Sequence, residues 1–428
     1  YYGPQFRFLA STESIYLRSR KLFDIVRFNF AFQKIRESRH TRRYRSAELL
    51  HRNERVDAYS VNLDLKKVIG RSDVKYGFEY VYNDVRSTAI GFNTATDNSF
   101  EISTRYPKGG SYTHSTAIYF SHRVKYNNRF SFSQAIRLNR NDLFADLSDT
   151  SFFPLPVQRI NQQKLSWSGS LGMIYTFENG WRLSSNLGSG FRSPNVDDVS
   201  KVFDSVGGSV IVPNSKLGPE RIYSFDLAAE GKINSDVAVD IGSFISYVND
   251  IIVVDDFILG GIDSISYDGV LSKIFANQNK QEAYVFGVNA AVRIKLSERM
   301  SFFGNTNYTY GRVLTDSLSA PLDHIPPVYG KLSLQYEVNR LETEFYIFYN
   351  GWKRKKDYSI QGRDNFESAT RKGMPAWMTY NLRLNYRLKN QIEIQVAVEN
   401  IADYNYRVFA SGINGPGINF IFNVRKRF

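Results

Sequence analysis

The chain has no cysteine, and only 4 Met, 4 Trp and 5 His among its 428 residues. Without thiols, a disulfide scaffold and a thiolate-held metal are both excluded. No apolar run approaches the roughly 18 residues of a membrane helix; the best, Ile251-Ile252-Val253-Val254, stops at Asp255. The three-and-four spacing of an amphipathic helix is almost nowhere. G-x-S-x-G, G-x-x-x-x-G-K-[ST] and H-E-x-x-H signatures are missing too, so nothing supports an enzyme. No Met, basic n-region or apolar h-region stands at Tyr1, so any signal peptide is expected to lie outside these residues. A mean hydropathy of −0.36 is that of many soluble proteins. A membrane barrel also lacks long apolar runs, however, so the value excludes little.

What is abundant is aromatic and basic. There are 28 Tyr and 32 Phe, aromatics make up 15% of the chain, and the formal charge is +13. At roughly 150 residues per domain the length suggests about three domains, yet no Pro/Ser/Gly-rich linker divides it. The dominant pattern has period two, which sends successive side chains to opposite faces of a strand. In 376–388, Ala376, Met378, Tyr380, Leu382, Leu384, Tyr386 and Leu388 alternate with Thr379, Asn381, Arg383, Asn385 and Arg387. Ile392, Ile394, Val396 and Val398 alternate with Gln391, Glu393, Gln395 and Glu399.

This alternation predicts seventeen strands, at 6–16, 23–35, 54–67, 73–85, 112–125, 129–141, 163–177, 181–191, 220–233, 236–253, 282–296, 300–313, 328–338, 341–352, 376–388, 391–400 and 418–428. Tight turns fall at Tyr126-Asn127-Asn128, Glu178-Asn179-Gly180, Asn234-Ser235, Ser297-Glu298-Arg299, Asn339-Arg340 and Lys389-Asn390, with longer ones near 17–22 and 68–72. Between them lie long polar connections at 36–53, 86–111, 142–162, 192–219, 254–281, 314–327, 353–375 and 401–417. Short and long alternate throughout. An up-and-down antiparallel transmembrane β-barrel, all-β, has short turns at one end and long loops at the other; a sandwich or propeller gives no reason for it. Aromatics such as Tyr80, Tyr82, Phe348, Tyr349, Trp352 and Tyr380 are expected at strand ends, in interfacial girdles. A soluble core is the alternative, but the second face of each strand is too polar for one.

Three motifs in order add a family. Leu187-Gly-Ser-Gly-Phe191-Arg192-Ser-Pro194-Asn195 precedes Val212-Pro213-Asn214-Ser-Lys-Leu217-Gly-Pro219-Glu220. Ile325-Pro326-Pro327-Val328-Tyr329-Gly330 follows, and then Val398-Glu399-Asn400-Ile401-Ala402-Asp403 with a final strand ending in Phe428. Together they resemble the TonB-dependent outer-membrane receptors over roughly 187–428, more faintly before it. The resemblance implies a 22-stranded barrel around a globular plug. Residues 1–428 would then be a C-terminal barrel portion, with plug, TonB box and about five strands outside it. It also implies the outer membrane of a Gram-negative bacterium, no cofactor, and partnership with the TonB complex through the absent N-terminal segment. The implied function is active import of a scarce small-molecule chelate of the ferric siderophore, haem or cobalamin class. A passive porin and an adhesin acting through its loops are the alternatives. If the family reading holds, the strands at 6–16 and 418–428 do not pair with each other.

Candidate site residues follow from charge and motif. Segment 36–55 carries seven arginines against three glutamates. Arg39, Arg42, Arg43 and Arg45, with Tyr44, suit an anionic ligand, and equally the phosphates of lipopolysaccharide. Lys353-Arg354-Lys355-Lys356 is expected to face lipopolysaccharide or to be solvated. Nucleic acid is not expected, because the charge sits in separate loops. Phe191, Arg192, Pro194, Asn195, Pro213, Asn214, Leu217, Pro219 and Glu220 either touch ligand or fix a loop to the rim. No histidine lies in 195–212, which argues against the haem ligation the boxes sometimes accompany. His114 and His122 are expected as polar lumen residues rather than metal ligands. Asp197-Asp198 and Asp255-Asp256 could hold calcium, with solvated loop acids as the default. Asn381, Arg383, Asn385 and Arg387 are expected in the lumen, as plug contacts or simply solvated.

The last strand alternates Phe420, Phe422 and Val424 with Asn419, Asn423 and Arg425, and ends in Phe428. It resembles the aromatic signal read by the barrel-insertion machinery. Deleting Phe428 is expected to lower outer-membrane levels while secretion to the periplasm continues. Normal levels of the truncated protein in membrane fractions would overturn this.

Overall fold

In a computed structural model, residues 3–152, 157–200, 203–206, 209–267, 270–314, 319–359, 364–388 and 391–426 are described. Seventeen long strands follow one another: Phe6–Leu17, Ile25–Thr41, Glu48–Ile69, Ser72–Asn93, Ser111–Lys125, Phe130–Asp146, Arg159–Thr176, Arg182–Arg192, Glu220–Lys232, Val237–Asp256, Val270–Lys295, Met300–Leu314, Tyr329–Val338, Leu341–Asn350, Trp377–Arg387, Ile392–Glu399 and Asn419–Lys426. Each pairs antiparallel with the next, in one continuous sheet. Among the described residues, Phe6–Leu17 pairs only with Ile25–Thr41, and Asn419–Lys426 only with Ile392–Glu399. Among the described residues no pairing joins these two edges.

All seventeen predicted strands are present, but several run further than the hydrophobic alternation. Residues 36–41 and 48–53 form strand, so the predicted long connection shrinks to 42–47. The strand from Ser72 continues to Asn93, and the one ending at Lys295 begins at Val270. The regular alternation of apolar and polar residues breaks down in these extensions (Arg36 to Thr41 is polar on both faces, and Leu49-Leu50, Leu271 and Ile274-Phe275-Ala276 do not alternate), while the backbone ladder goes on. Tyr80 and Tyr82 consequently lie inside a strand, not at its end. Phe428 and the predicted Lys389-Asn390 turn lie outside the described residues.

Short-turn chemistry is legible side chain by side chain. Asn127 Oδ1 accepts the Arg129 and Phe130 amides at 2.8 and 2.7 Å. Asn234 Oδ1 accepts those of Asp236 and Val237, both at 2.9 Å. Asn339, in the two-residue turn before Leu341, takes the left-handed conformation at φ 54° that such hairpins require and Asn tolerates.

The two faces of the wall differ chemically. Leu332, Leu334, Phe345, Tyr380 and Leu384 project from one face and are exposed. Ser333, Glu344, Thr379 and Asn381 alternate with them and are buried on the other. The apolar face is the lipid side and the polar face the lumen. A file of rings crosses the apolar face from strand to strand: Phe8–Phe32 (6.4 Å), Phe32–Tyr59 (4.9 Å), Tyr59–Tyr82 (6.2 Å), Tyr82–Tyr112 (6.3 Å) and Tyr112–Phe144 (4.9 Å). Tyr59 stands ten residues from Ile69 at the short-turn end. At ~3.3 Å per residue and a tilt of ~40°, that is ~25 Å, the height of an outer-membrane apolar band. A second aromatic level lies at the short turns, with Tyr16–Phe23 at 6.2 Å and Tyr126–Phe130 at 5.6 Å. Two girdles therefore bracket a membrane-sized band.

Leu334 sits near the middle of that band and Gln335 beside it faces the lumen. Leu334→Arg is expected to destabilise the protein by ~2–4 kcal/mol in lipid vesicles, and Gln335→Arg by less than half as much. Equal losses in urea titrations would overturn the assignment of faces.

Candidate functional site

The two loop boxes flank one long connection at 193–219. Arg192 closes one strand and Glu220 opens the next, and the two are direct cross-strand partners. The Arg192 guanidinium donates Nε to Glu220 and Nη1 to Asp198 Oδ2 at 2.7 Å. These carboxylates, Glu220 foremost, hold its proton even more tightly than usual. Glu220 also accepts the Ile252 amide at 2.8 Å. Asn195 and Asp198 cap the short helix Val196–Ser200 reciprocally: the Asp198 amide donates to Asn195 Oδ1 and the Asn195 amide to Asp198 Oδ2, each at 2.9 Å. That is the geometry of a capping box.

The second box continues the pinning. Asn214 Nδ2 donates to the Asn277 carbonyl and Asn277 Nδ2 to the Asp198 carbonyl, both at 2.7 Å. Asn279 accepts the Gly218 amide at 2.7 Å and donates to the Gly218 carbonyl at 3.0 Å. Gln162 reaches the Ser215 carbonyl at 2.6 Å. Beneath these bonds, Val196, Val199 and Leu217 pack with Leu143, Ala145 and Ile160 in one buried cluster. Leu143 and Ala145 share the lumenal face of their strand with Asn139 and Asn141, so the loop folds inward over the mouth. Pro194 and Pro213 are buried, Pro219 half-buried, and Phe191 turns to the lipid side. Arg192, Asn195, Asn214, Leu217 and Glu220 thus make the contacts that hold this loop to the wall. Sequence reasoning missed Gln162, Asn277 and Asn279, whose only signal was an unusual amide run inside a strand.

The arginine group divides. Arg39 lies on the lumenal wall, 3.0 Å from Glu37. Arg42, Arg43, Tyr44 and Arg45 make the hairpin tip, where Tyr44 is 89% exposed and Arg45 lies over its ring at 5.3 Å. Lumenal and above the girdle, Glu54 is buried opposite Glu37 with neither carboxylate oxygen hydrogen-bonded. Burial pushes its carboxyl up, against the pull of Arg105 and Arg39. A raised value means that the charged form costs stability above the ordinary carboxylate range.

Other expectations change. His114 and His122 face outward with Ile118 and Phe120, not into the lumen. His114 meets the Tyr82 ring at 4.8 Å and the Tyr80 hydroxyl at 2.7 Å, while His122 bonds Ser72 at 3.0 Å. Histidine has an aromatic body and a polar tip, which suits a girdle. Lys353 is not solvated: it is buried, donates to the Ile325 carbonyl at 2.7 Å and lies 5.0 Å from the Phe409 ring. Arg354 covers Trp352 at 4.7 Å and Lys355 covers Phe366 at 4.5 Å. Aromatics both next to it (Trp352) and farther along the chain (Phe366, Phe409) engage this basic run by cation–π contact. Asp198, Asp255 and Asp256 are each ion-paired, to Arg192, Lys280 and Lys273. No group of three His, Cys, Asp or Glu suited to a metal occurs among the described residues. A cavity of about 300 Å³ opens beside Lys353's loop, lined by Trp377, Tyr404, Tyr406, Arg407 and Asn414.

In the lumen, Glu344 is 2% exposed and accepts Lys331 Nζ at 2.5 Å, Ser333 Oγ at 2.6 Å and the Arg383 guanidinium. Asn381 is buried and spends its amide on the Tyr346 and Thr379 carbonyls, both at 3.1 Å. Arg383 Nε and Asn385 Oδ1 are buried without hydrogen-bond partners. Arg387 lies 3.7 Å from Glu342.

The family model for TonB dependent receptor-like β-barrels matches residues 5–401. The chain belongs to that family. Its place is the outer membrane. Among solved structures it is similar to the copper transporter OprC (TM-score 0.80, 14% identity, 98% of this chain and 64% of that one). It is also similar to the ferric yersiniabactin uptake receptor FyuA of Yersinia pestis (TM-score 0.64, 13% identity, 98% and 59%). A third likeness is the Serratia marcescens hemophore receptor HasR (TM-score 0.71, 11% identity, 99% and 66%). The chain therefore spans about three-fifths to two-thirds of their length. No curated protein matches it in sequence.

Glu220→Ala is expected to free Arg192 and the Ile252 amide, loosening the loop of this TonB-dependent barrel by about 1–2 kcal/mol after allowing for the exposure of Arg192. Amides of 196–200 should exchange faster while the wall melts unchanged. Unaltered exchange would refute the pinning role.

Proposed function

We propose that this chain is the barrel of an active importer whose lumen is filled by a plug, and which takes up a scarce metal chelate or cofactor of the ferric siderophore, haem or cobalamin class. The observation that carries the reading is the lumenal wall at Arg383 and Asn385. Both side chains are only half-buried, so each still presents polar groups to the lumen that a docked surface can hydrogen-bond. Arg383, Asn385 and Arg387 are the plug contacts favoured here, since Asn381 is spent within the wall. Arg39, Arg42, Arg43, Tyr44 and Arg45 are assigned to ligand capture at the mouth, and the pinned loop 193–219 narrows the path inward.

The plug, the TonB-contacting segment and the strands that close the sheet are assigned to residues beyond these 428. Two unpaired edges support this, since each unsatisfied backbone group in hydrocarbon costs several kcal/mol. The barrel carries out no bond-making; TonB, energised from the inner membrane, would move the plug. Lipopolysaccharide around the wall and the insertion machinery at its last strand complete the partners proposed.

The intact protein in planar lipid bilayers is expected to show no large steady conductance, and its expression should support growth on a limiting chelate only in cells with functional TonB. A constant large conductance would make it a passive pore. TonB-independent growth, or none with any chelate, would sink the importer reading.

A further inference from the structure

Three arginines face one another across three adjacent strands. Arg36 is the direct cross-strand partner of Arg55, and Arg55 of Arg86. By register all three lie on the lipid side: Arg36 follows Phe32 by four residues, Arg55 precedes Tyr59 by four, and Arg86 follows Tyr82 by four. Phe32, Tyr59 and Tyr82 are the ring file that marks the top of the apolar band. The arginine row therefore stands immediately beyond that girdle, on the outside of the wall, at headgroup depth.

Like charges placed directly opposite on a sheet are destabilising. Part of this is offset by Asp57, ion-paired with Arg55, and by Asp84, 3.1 Å from Arg86. Arg36 is exposed and has no ion pair among the described residues. Lys34 stands one row nearer the girdle, in register with Asp57. These six groups carry four positive and two negative charges. Exposed guanidinium forks with a net positive surplus, fixed at membrane-surface depth, match phosphate.

We propose that the row Arg36, Arg55 and Arg86 is a binding site for the phosphate groups of an outer-leaflet glycolipid headgroup. The site is separate from the hairpin tip at 42–45 and from the lumenal Arg39. It rests on the membrane placement of the wall and not on the transport reading, so the two fail independently. Its occupant relieves the arginine repulsion and ties the tall hairpin 25–69 to the membrane surface.

The test uses the full-length protein, purified in detergent and stripped of lipid. Bisphosphorylated lipid A in mixed micelles is the probe, with the dephosphorylated lipid and inorganic phosphate as comparisons, and bound lipid per protein is counted by mass spectrometry. At least tenfold more phosphorylated than dephosphorylated lipid should be retained. The triple variant R36Q/R55Q/R86Q should fall to the dephosphorylated level. R36Q alone, which breaks no ion pair, should lose binding severalfold. R129Q at the opposite end should bind as the parent does, and heat-dependent gel migration checks that each variant is folded. Full retention by folded R36Q and triple variants overturns the site, as does equal binding of dephosphorylated lipid. Displacement by millimolar inorganic phosphate would make it a free-anion site and overturn the lipid assignment.

Discussion

Everything in this wall follows from one requirement: in hydrocarbon, backbone N–H and C=O groups must be paired within the protein. A helix satisfies this alone, and this chain has no helix long or apolar enough to cross a membrane among its described residues. Strands satisfy it only through neighbours, so each of the seventeen is committed to the next. Side chains are then free to specialise by face. The outward positions need only be apolar over about 25 Å, and beyond that height the same ladder carries arginine, aspartate and histidine. A strand here is thus longer than the membrane it crosses, and its chemistry changes with depth while its hydrogen bonding does not.

That separation explains what was legible in the residues. Alternation such as Tyr380, Leu382, Leu384 against Asn381, Arg383, Asn385 identified every wall strand, because lipid and lumen impose opposite polarities. It failed above the girdle. From 36 to 41 and from 48 to 53 both faces meet water, so Arg36 and Glu37 look alike in polarity although they point opposite ways. Register alone separates them, and register comes from pairing with Arg55 and Glu54. Histidine misled for a related reason: His114 reads as polar, whereas in a ring file its aromatic body decides its side.

The site was legible as positions but not as roles. Arg192, Asn195, Asn214 and Glu220 stood out by motif, and both ligand contact and loop fixing suited them. Their hydrogen-bond partners show the loop contacts they make. Gln162, Asn277 and Asn279 come from other strands, and no spacing in the chain announces that their amides meet the 193–219 loop. Similarly, Lys353 is buried because the Ile325 carbonyl and the Phe409 ring, both distant in sequence, receive its ammonium. Long-range polar contacts of this kind leave no periodicity to read.

The loop and the lumen also differ in how completely their polar groups are satisfied, and that contrast bears on motion. Loop 193–219 is held by at least six side-chain bonds to carbonyls, amides and charges, over a dry cluster of Val196, Val199 and Leu217. Its described residues are thus tied to the wall. At Arg383, Asn385 and Arg387 the wall instead leaves polar side chains partly exposed to the lumen. A surface docked there can complete them and later withdraw, at a cost set by few bonds rather than many. The loop is thus fastened at the mouth, while the lumenal wall keeps hydrogen-bonding capacity that it does not use within itself.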